Sequence, residues 1–326
     1  MVKLVVDDKI PYISDFFTHC DDIVALPGEM ITQETLRNAD LLLTRTVTKV
    51  NRALLQNTAV RFVGTATTGM DHIDEAWLTK QSIILANAAG ANAQAVAQYI
   101  HCCFSALNTQ DKLTNKKVVG IVGCGRIGRL VAAFFQSHGF EVICCDPLLT
   151  EQLHFDFVSL ETLVGESDII SIHTPLTKTG AHPTFHLFNA EQIHRMKTNA
   201  VLLNTARGEV IDQSALLSAD KMTLCFDVWE NEPAISLALL DQTFIGTPHI
   251  AGYSEQAKYR ATEMIYEKAA AFFGWPKHNK AHHPISSSRS YDPLEHTKQF
   301  RSAFSGCKPE AISRIFIEQR GGYQLR

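Results

Sequence analysis

Short apolar runs alternate with amphipathic stretches along most of the 326 residues, and the runs themselves lack polar alternation. In the first third they are KLVV, DIVAL, DLLLT, RFVG and SIILAN; in the middle, KVVGIVG, EVICC, DIISIH, AVLLNT, TLCFDV and TFIGTP. A strand that is apolar on both faces suits a parallel sheet covered by helices on each side. Repeated strand–helix alternation predicts an α/β chain with two doubly wound parallel sheets in succession. Two longer helical patterns stand between these groups. The first, Asn92 to Leu107, puts Val96, Ala97, Ile100, Phe104 and Leu107 on one stripe; the second starts after Ser254, a good N-cap residue, and puts Ala257, Ala261, Ile265, Ala269 and Phe272 on one face. Gly274, Pro276 and Pro284 end the second pattern. Helices placed this way could cross between domains and make the first discontinuous. The expected organisation is therefore residues 1–90, completed by about 255–285, then 91–254, then a C-terminal extension over 286–326. In the extension, Leu294 to Phe304 predicts a helix and RIFIEQRGGYQL a hairpin. There is no internal repeat and no low-complexity segment.

One strand–helix junction carries a sharper signal. GIVGCGRIGRLVAAFFQSHGFEVICCDPL places Gly123, Gly125 and Gly128 after an apolar strand and Asp146 after the next one. Gly123 permits the tight turn, Gly125 lets the backbone approach a pyrophosphate, and Gly128 lets the helix pack closely on the strand. The helix N-terminus, beginning at Arg126 and Ile127, offers oriented N–H groups to phosphates. Asp146 would accept hydrogen bonds from adenosine ribose hydroxyls and repel a 2′-phosphate, which favours NAD over NADP. The glycine spacing by itself is a weak motif, and an Asp before Pro147 is an ordinary turn residue. The complete strand–loop–helix–strand–acid unit is what favours a dinucleotide.

Composition narrows the function. The hydrophobic share is 45%, the charged share 20% and the formal net charge −4, so no broad electrostatic pull toward nucleic acid or membrane is expected. No apolar run reaches the ~20 residues of a membrane span. MVKLVVDDKIPY has acidic residues where an export signal needs an apolar core, so a cytoplasmic protein is expected. Eight cysteines include the adjacent pairs Cys102–Cys103 and Cys144–Cys145 but no metal-ligand spacing. They are expected to be small buried thiols, with no metal site.

Three later strands end in reactive side chains. AVLLNTARGEVID delivers Arg207, TLCFDVWENEP delivers Asp227, Glu230 and Glu232, and TFIGTPHIAGYS delivers His249. Ligands of open parallel sheets bind beyond the carboxyl ends of the strands. An arginine, a carboxylate and a histidine together meet the needs of hydride transfer at a 2-hydroxy acid. Arg207 can bind the substrate carboxylate, His249 can take the hydroxyl proton, and Glu232 can orient His249 and stabilise its charged form. Singly, each has a commoner use as a surface ion pair, a core histidine or a loop acid. The combination at strand ends of one nucleotide-type sheet favours catalysis.

With these residues in hand, the chain resembles the D-isomer-specific 2-hydroxyacid dehydrogenase family over about Lys3 to Pro276. The resemblance rests on VGIVGCGRIGR, CDPL, HTPLT, LLNTARGEVID, DVWENEP and IGTPHIAGY. It implies a Rossmann NAD domain, a flavodoxin-like substrate domain and NAD as cofactor. The implied catalytic residues are Arg207, Glu232 and His249. The implied NAD contacts are Gly123, Gly125, Arg126, Ile127, Gly128, Asp146, Thr174, Ala206, Asp227 and Gly252. LLLTRTVTKVN and FVGTATTGMDHID further resemble the branch that oxidises 4-phospho-D-erythronate in vitamin B6 synthesis. That branch implies Thr46, Thr67 and Tyr253 as substrate contacts. TRTVTKVN adds Arg45 and Lys49 and the hydroxyls of Thr44 and Thr48 for a phosphate. A homodimer is also implied, although the branch usually has a longer C-terminal dimerisation domain than residues 285–326 provide. Competing readings are another D-2-hydroxyacid dehydrogenase, such as one for 3-phosphoglycerate, and a non-catalytic NAD-sensing corepressor on the same fold.

Overall fold

The computed structural model describes residues 2–67, 69–149, 154–218, 222–277 and 291–325. The chain divides into two compact units, Met1–Asn92 with Tyr253–Ser287, and Ala93–Gly252 with Ser288–Arg326. The first holds five parallel strands: β1 (Lys3–Asp7), β2 (Asp22–Leu26), β3 (Leu41–Thr44), β4 (Phe62–Thr65) and β5 (Ile84–Asn87). Their order across the sheet is β2-β1-β3-β4-β5. The winding direction reverses between β1 and β3, so the ends of those two strands flank the switch point of a flavodoxin-like sheet.

Alternate residues of these strands feed two cores. Leu4, Val6, Leu41, Leu43 and Phe62 pack with Ile265, Tyr266 and Ala269 of the helix Glu255–Phe273. Val5, Leu42 and Val63 pack with Leu36, Leu55 and Leu78 on the other face. Burial of each such side chain is worth roughly 1.5–3 kcal/mol, which outweighs any need for polar alternation in the sequence. The helix begins where Ser254 accepts the N–H of Ala257 and stops at Gly274, which takes a left-handed φ of 74°. Phe272 departs from the expected stripe: it is 41% exposed, because the apolar face has already rotated past it by the last turn.

The second unit holds seven parallel strands: β6 (Val118–Val122), β7 (Glu141–Cys145), β8 (Asp156–Phe157), β9 (Ile169–Ile172), β10 (Val201–Asn204), β11 (Thr223–Phe226) and β12 (Ile245–Gly246). The order is β12-β11-β10-β9-β6-β7-β8. Counted from β6 this is the Rossmann order 3-2-1-4-5-6 with one strand added, and its switch point lies between β6 and β9. The two-residue β8 had no apolar run to announce it. The first long helix, Ala93–Thr109, opens this unit, and the Tyr99 hydroxyl lies 2.7 Å from that of Thr247.

The described part of the C-terminal extension packs on this sheet. Helix Pro293–Ala303 lays Phe300 near Trp229, with ring centroids 6.3 Å apart, and Thr297 accepts the N–H of Gly246 at 3.0 Å. Arg301 donates to the Leu240 carbonyl at 3.1 Å and also to the Thr243 carbonyl. The hairpin expected over RIFIEQRGGYQL is instead a helix, Ile312–Gly321. Ile312, Ile315 and Phe316 turn to the core at helical spacing, and Arg314 pairs with Glu318 one turn on. The glycine pair ends the helix rather than turning a hairpin. Residues 286–290, expected to begin the extension, and Pro284 lie outside the described residues.

Candidate active site

The glycine loop joins β6 to the helix Arg126–Ser137 at the switch point. Gly123 adopts φ +88°, and a Cβ there would lie 2.9 Å from the His173 carbonyl carbon. At Gly128 a Cβ would meet the Gly123 carbonyl oxygen at 2.0 Å, so any side chain would push the helix off the loop. Gly125 differs: nothing lies within 4 Å of its Cβ position, leaving open space in front of a helix start that no side chain caps. The N–H groups of that first turn, in Arg126, Ile127 and Gly128, therefore face a space suited to a phosphate. Asp146, just beyond β7, accepts the Cys124 N–H at 2.9 Å through Oδ2 and the Leu148 N–H at 3.2 Å through Oδ1. It thus serves the turn and braces the loop, with half of a carboxylate's roughly four acceptor positions left over. Across the switch point Thr174 Oγ1 is buried with no hydrogen-bond partner among the described residues. An open cradle, a helix start without a side-chain cap at Gly125 and the buried hydroxyl of Thr174 fit a dinucleotide. Beside Thr174, burial lowers the pKa of His173 to about 3, and its Nε2 lies 2.8 Å from Ser171 Oγ.

The ends of β10, β11 and β12 bring the reactive set onto one unit. Arg207 follows Asn204, which accepts the Ala206 N–H and donates to the Arg207 carbonyl, both at 3.0 Å. The Arg207 guanidinium donates to the Ala206 carbonyl at 2.8 Å. Gly208 lets this loop touch its neighbour: a Cβ would lie 1.9 Å from the Trp229 carbonyl carbon. Within DVWENEP the two glutamates part company. Glu230 pairs with His186 Nε2 at 2.8 Å, whereas Glu232 Oε2 lies 2.7 Å from His249 Nδ1. Glu232 Oε1 accepts the Trp229 N–H at 2.8 Å. Burial pushes the pKa of Glu232 up, but the His249 charge and hydrogen bond, Arg320 of the last helix and the Trp229 N–H outweigh it and bring the pKa below the ordinary value.

His249 is held as firmly from the backbone. It takes a left-handed φ of 58°, and its N–H donates to the Asp227 carbonyl at 2.7 Å. Asp227 is buried, and its carboxylate accepts the Thr247 hydroxyl at 2.6 Å and the N–H groups of Ile250 and Ala251 at 2.8 Å each. Three of its acceptor positions therefore fasten the His249 loop, leaving one. Gly252 closes this loop at the unit boundary. Sequence reasoning missed the fastening groups Asn204, Gly208, Trp229 and Thr247. Their only signal was position, at the ends of strands already carrying Arg207, Asp227 and His249.

The expected substrate residues lie in the first unit. Arg45 and Thr46 follow β3 and Thr67 follows β4, strands paired through Thr44 and Thr65. Arg45 Nε is 3.0 Å from Oδ1 of buried Asp7, at the end of β1. Thr46 is exposed, whereas Thr67 spends its hydroxyl on the Gly69 carbonyl at 2.9 Å and lies 2.7 Å from Thr65 Oγ1. Thr44 and Thr48 do not offer hydroxyls outward. Both are buried and donate to backbone carbonyls, of Arg45 at 3.0 Å and Gly28 at 2.9 Å. Lys49 is exposed, and Tyr253 lies under the Lys258 ammonium, 5.5 Å from its ring centroid.

Residues 84–251 match the family described as D-isomer specific 2-hydroxyacid dehydrogenase, NAD binding domain. The erythronate-4-phosphate dehydrogenase of Coxiella burnetii is 46% identical over 275 residues, 84% of this chain and 75% of that one. That of Cellvibrio japonicus is 43% identical over 277 residues, 84% and 72% of the two chains. Among solved structures, D-lactate dehydrogenase from Aquifex aeolicus, complexed with NAD and lactic acid, aligns with a TM-score of 0.69 at 26% identity, over 83% of this chain and 95% of that one. NAD-bound 3-phosphoglycerate dehydrogenase of Entamoeba histolytica aligns with a TM-score of 0.70 over 89% and 99% of the chains, and at 21% identity shows the fold alone.

Proposed function

We propose, from the premise that this chain belongs to the D-isomer specific 2-hydroxyacid dehydrogenase family, on its erythronate-4-phosphate dehydrogenase branch, that it oxidises 4-phospho-D-erythronate to the 2-oxo acid, 3-hydroxy-2-oxo-4-phosphooxybutanoate. The reaction is NAD-dependent, as in the family. The observation that carries the reading is the Glu232–His249 pair, 2.7 Å apart and fastened at the strand ends of a glycine-loop sheet.

Bound NAD supplies the hydride acceptor for C2. The chain's own residues do the rest. Gly123, Gly125 and Gly128 with the amides of Arg126 and Ile127 hold the pyrophosphate, Asp146 the adenosine ribose, and Thr174, Ala206, Gly252 and the spare acceptor position of Asp227 the nicotinamide end. Arg207 binds the substrate carboxylate and polarises the C2 oxygen. Because His249 Nδ1 is committed to Glu232, Nε2 is the atom that takes the C2 hydroxyl proton, and Glu232 stabilises the imidazolium that forms. Arg45, Thr46, Thr67 and Tyr253 read the phosphorylated end.

Eight cysteines, none in a disulfide, support placing the enzyme in the reducing cytoplasm, and no helix among the described residues is long and apolar enough to cross a membrane. The homodimer rests on the family resemblance, and sedimentation at the monomer mass would remove it. The reading is tested by following NADH absorbance with 4-phosphoerythronate, 3-phosphoglycerate, D-lactate and erythronate. A kcat/KM highest for 4-phosphoerythronate is expected. Preference for 3-phosphoglycerate would assign a different substrate, and no turnover of any acid with intact NAD binding would favour a sensor.

A further inference from the structure

We infer that Lys258, seated on the Tyr253 ring, is with Arg45 the second cation of a phosphate site at the switch point of the first unit's sheet; the inference deepens the proposed function and rests on it for the identity of the phosphate's carrier.

Lys258 occupies a place that a cation in a finished fold avoids. It lies in the first turn of the helix Glu255–Phe273, where the helix dipole opposes positive charge. It is part-buried, with its Nζ 5.5 Å from the Tyr253 ring centroid, and among the described residues no carboxylate lies within ion-pair distance of it. Burial, and then the charge of Arg45, lower its pKa. Glu255, the acidic residue of the same turn, accepts the Tyr12 hydroxyl at 3.2 Å instead. The Tyr253 face offsets part of the cost, since a cation over an aromatic ring gains roughly 0.5–1 kcal/mol at exposed sites.

Arg45 is held in turn by Asp7. Arg45 follows β3 and Asp7 ends β1, the two strands between which the winding direction reverses. Asp7 thus answers the charge of Arg45, and among the described residues no carboxylate answers that of Lys258. Half-burial, a like-charged neighbour and a helix N-terminus all act against Lys258 in the free protein; a phosphate dianion is attracted by both cations and by the helix N-terminus, and its charge offsets the cost of burying the ammonium. Lys binds phosphate as a compact point charge, while Arg45 offers a planar fork, so the two are complementary donors.

The test titrates inorganic phosphate into the full chain by calorimetry, in wild type and in Lys258→Met, Lys258→Arg and Lys268→Met. Lys268 is an exposed lysine farther along the same helix and controls for net charge. Loss of a charge-assisted contact predicts phosphate binding weakened about ten- to a hundredfold in Lys258→Met, with Lys258→Arg intermediate and Lys268→Met near wild type. The KM for 4-phosphoerythronate should rise in the same order, with kcat changed far less. Phosphate binding in Lys258→Met equal to that in Lys268→Met would overturn the inference, as would a fall in kcat with KM unmoved. Should Lys258→Met fail to fold, the comparison of Lys258→Arg with Lys268→Met decides. If wild type does not turn over 4-phosphoerythronate yet binds phosphate through Lys258, the substrate is wrong and the site stands.

Discussion

His249 combines a left-handed backbone, a carboxylate on Nδ1 and a backbone bond to Asp227, so its ring has little freedom to turn away. Such φ values in non-glycine residues cost of order 1–3 kcal/mol and persist only where surroundings enforce them. His249→Ala should lose about 10²–10⁴-fold in turnover while fluorescence titration still finds NADH bound. Glu232→Gln should lose less, and the acid limb of its rate profile should move to lower pH, because the imidazolium loses its negative neighbour. An unmoved limb would detach Glu232 from the proton transfer. His173 gives a separate pH signature. Above the ordinary value of 6.5, folded and unfolded chains carry the same charge there. Between 6.5 and about 3 only the unfolded chain takes the proton, so stability falls as pH falls. The slope is at most about 1.4 kcal/mol per pH unit, less because the residue as a whole is only part-buried. Urea unfolding at pH 7 and pH 5 should therefore show a smaller acid loss for His173→Gln than for wild type; equal losses would contradict a buried neutral ring. The reactive residues were legible because their chemistry is rare at strand ends. Thr44 and Thr48 were misread because a sequence does not say which way a hydroxyl turns, and here both close local backbone bonds.

At the scale of elements, the unalternating apolar runs gave every strand but β8, a two-residue strand with both residues exposed and a single apolar side chain. The last helix was hidden for a different reason. RIFIEQRGG carries β-branched and aromatic residues before a glycine pair, a pattern shared by strands and short helices, and only contacts with Phe300 and the second unit's core select the helix. Its Arg320 is on the same face as Phe316, one turn away, and its charge bears on Glu232. Arg320→Gln should shift the acid limb to higher pH, opposite to Glu232→Gln, since loss of a positive neighbour favours the imidazolium. Arg320→Lys should restore the limb, and no shift in Arg320→Gln would leave the helix a packing element only. In the glycine loop, Asp146→Ala should narrow the preference for NAD over NADP, chiefly through a higher KM for NAD. An unchanged ratio of kcat/KM values would confine Asp146 to its bonds with Cys124 and Leu148.

Over the whole molecule, the two strand orders place chemistry where the winding direction reverses. In the second unit that point carries the glycine loop and Thr174; in the first it carries Asp7 and Arg45. In the proposed reaction the C2 hydride of 4-phosphoerythronate passes to NAD as His249 takes the hydroxyl proton. The most direct measurement incubates the enzyme with NAD and 4-phosphoerythronate deuterated at C2, then weighs both products by mass spectrometry. The expected products are NADH one mass unit heavier and, in equal amount, an unlabelled 2-oxo acid, formed at a rate that collapses in His249→Ala. Unlabelled NADH, or deuterium retained in the oxidised acid, would contradict it.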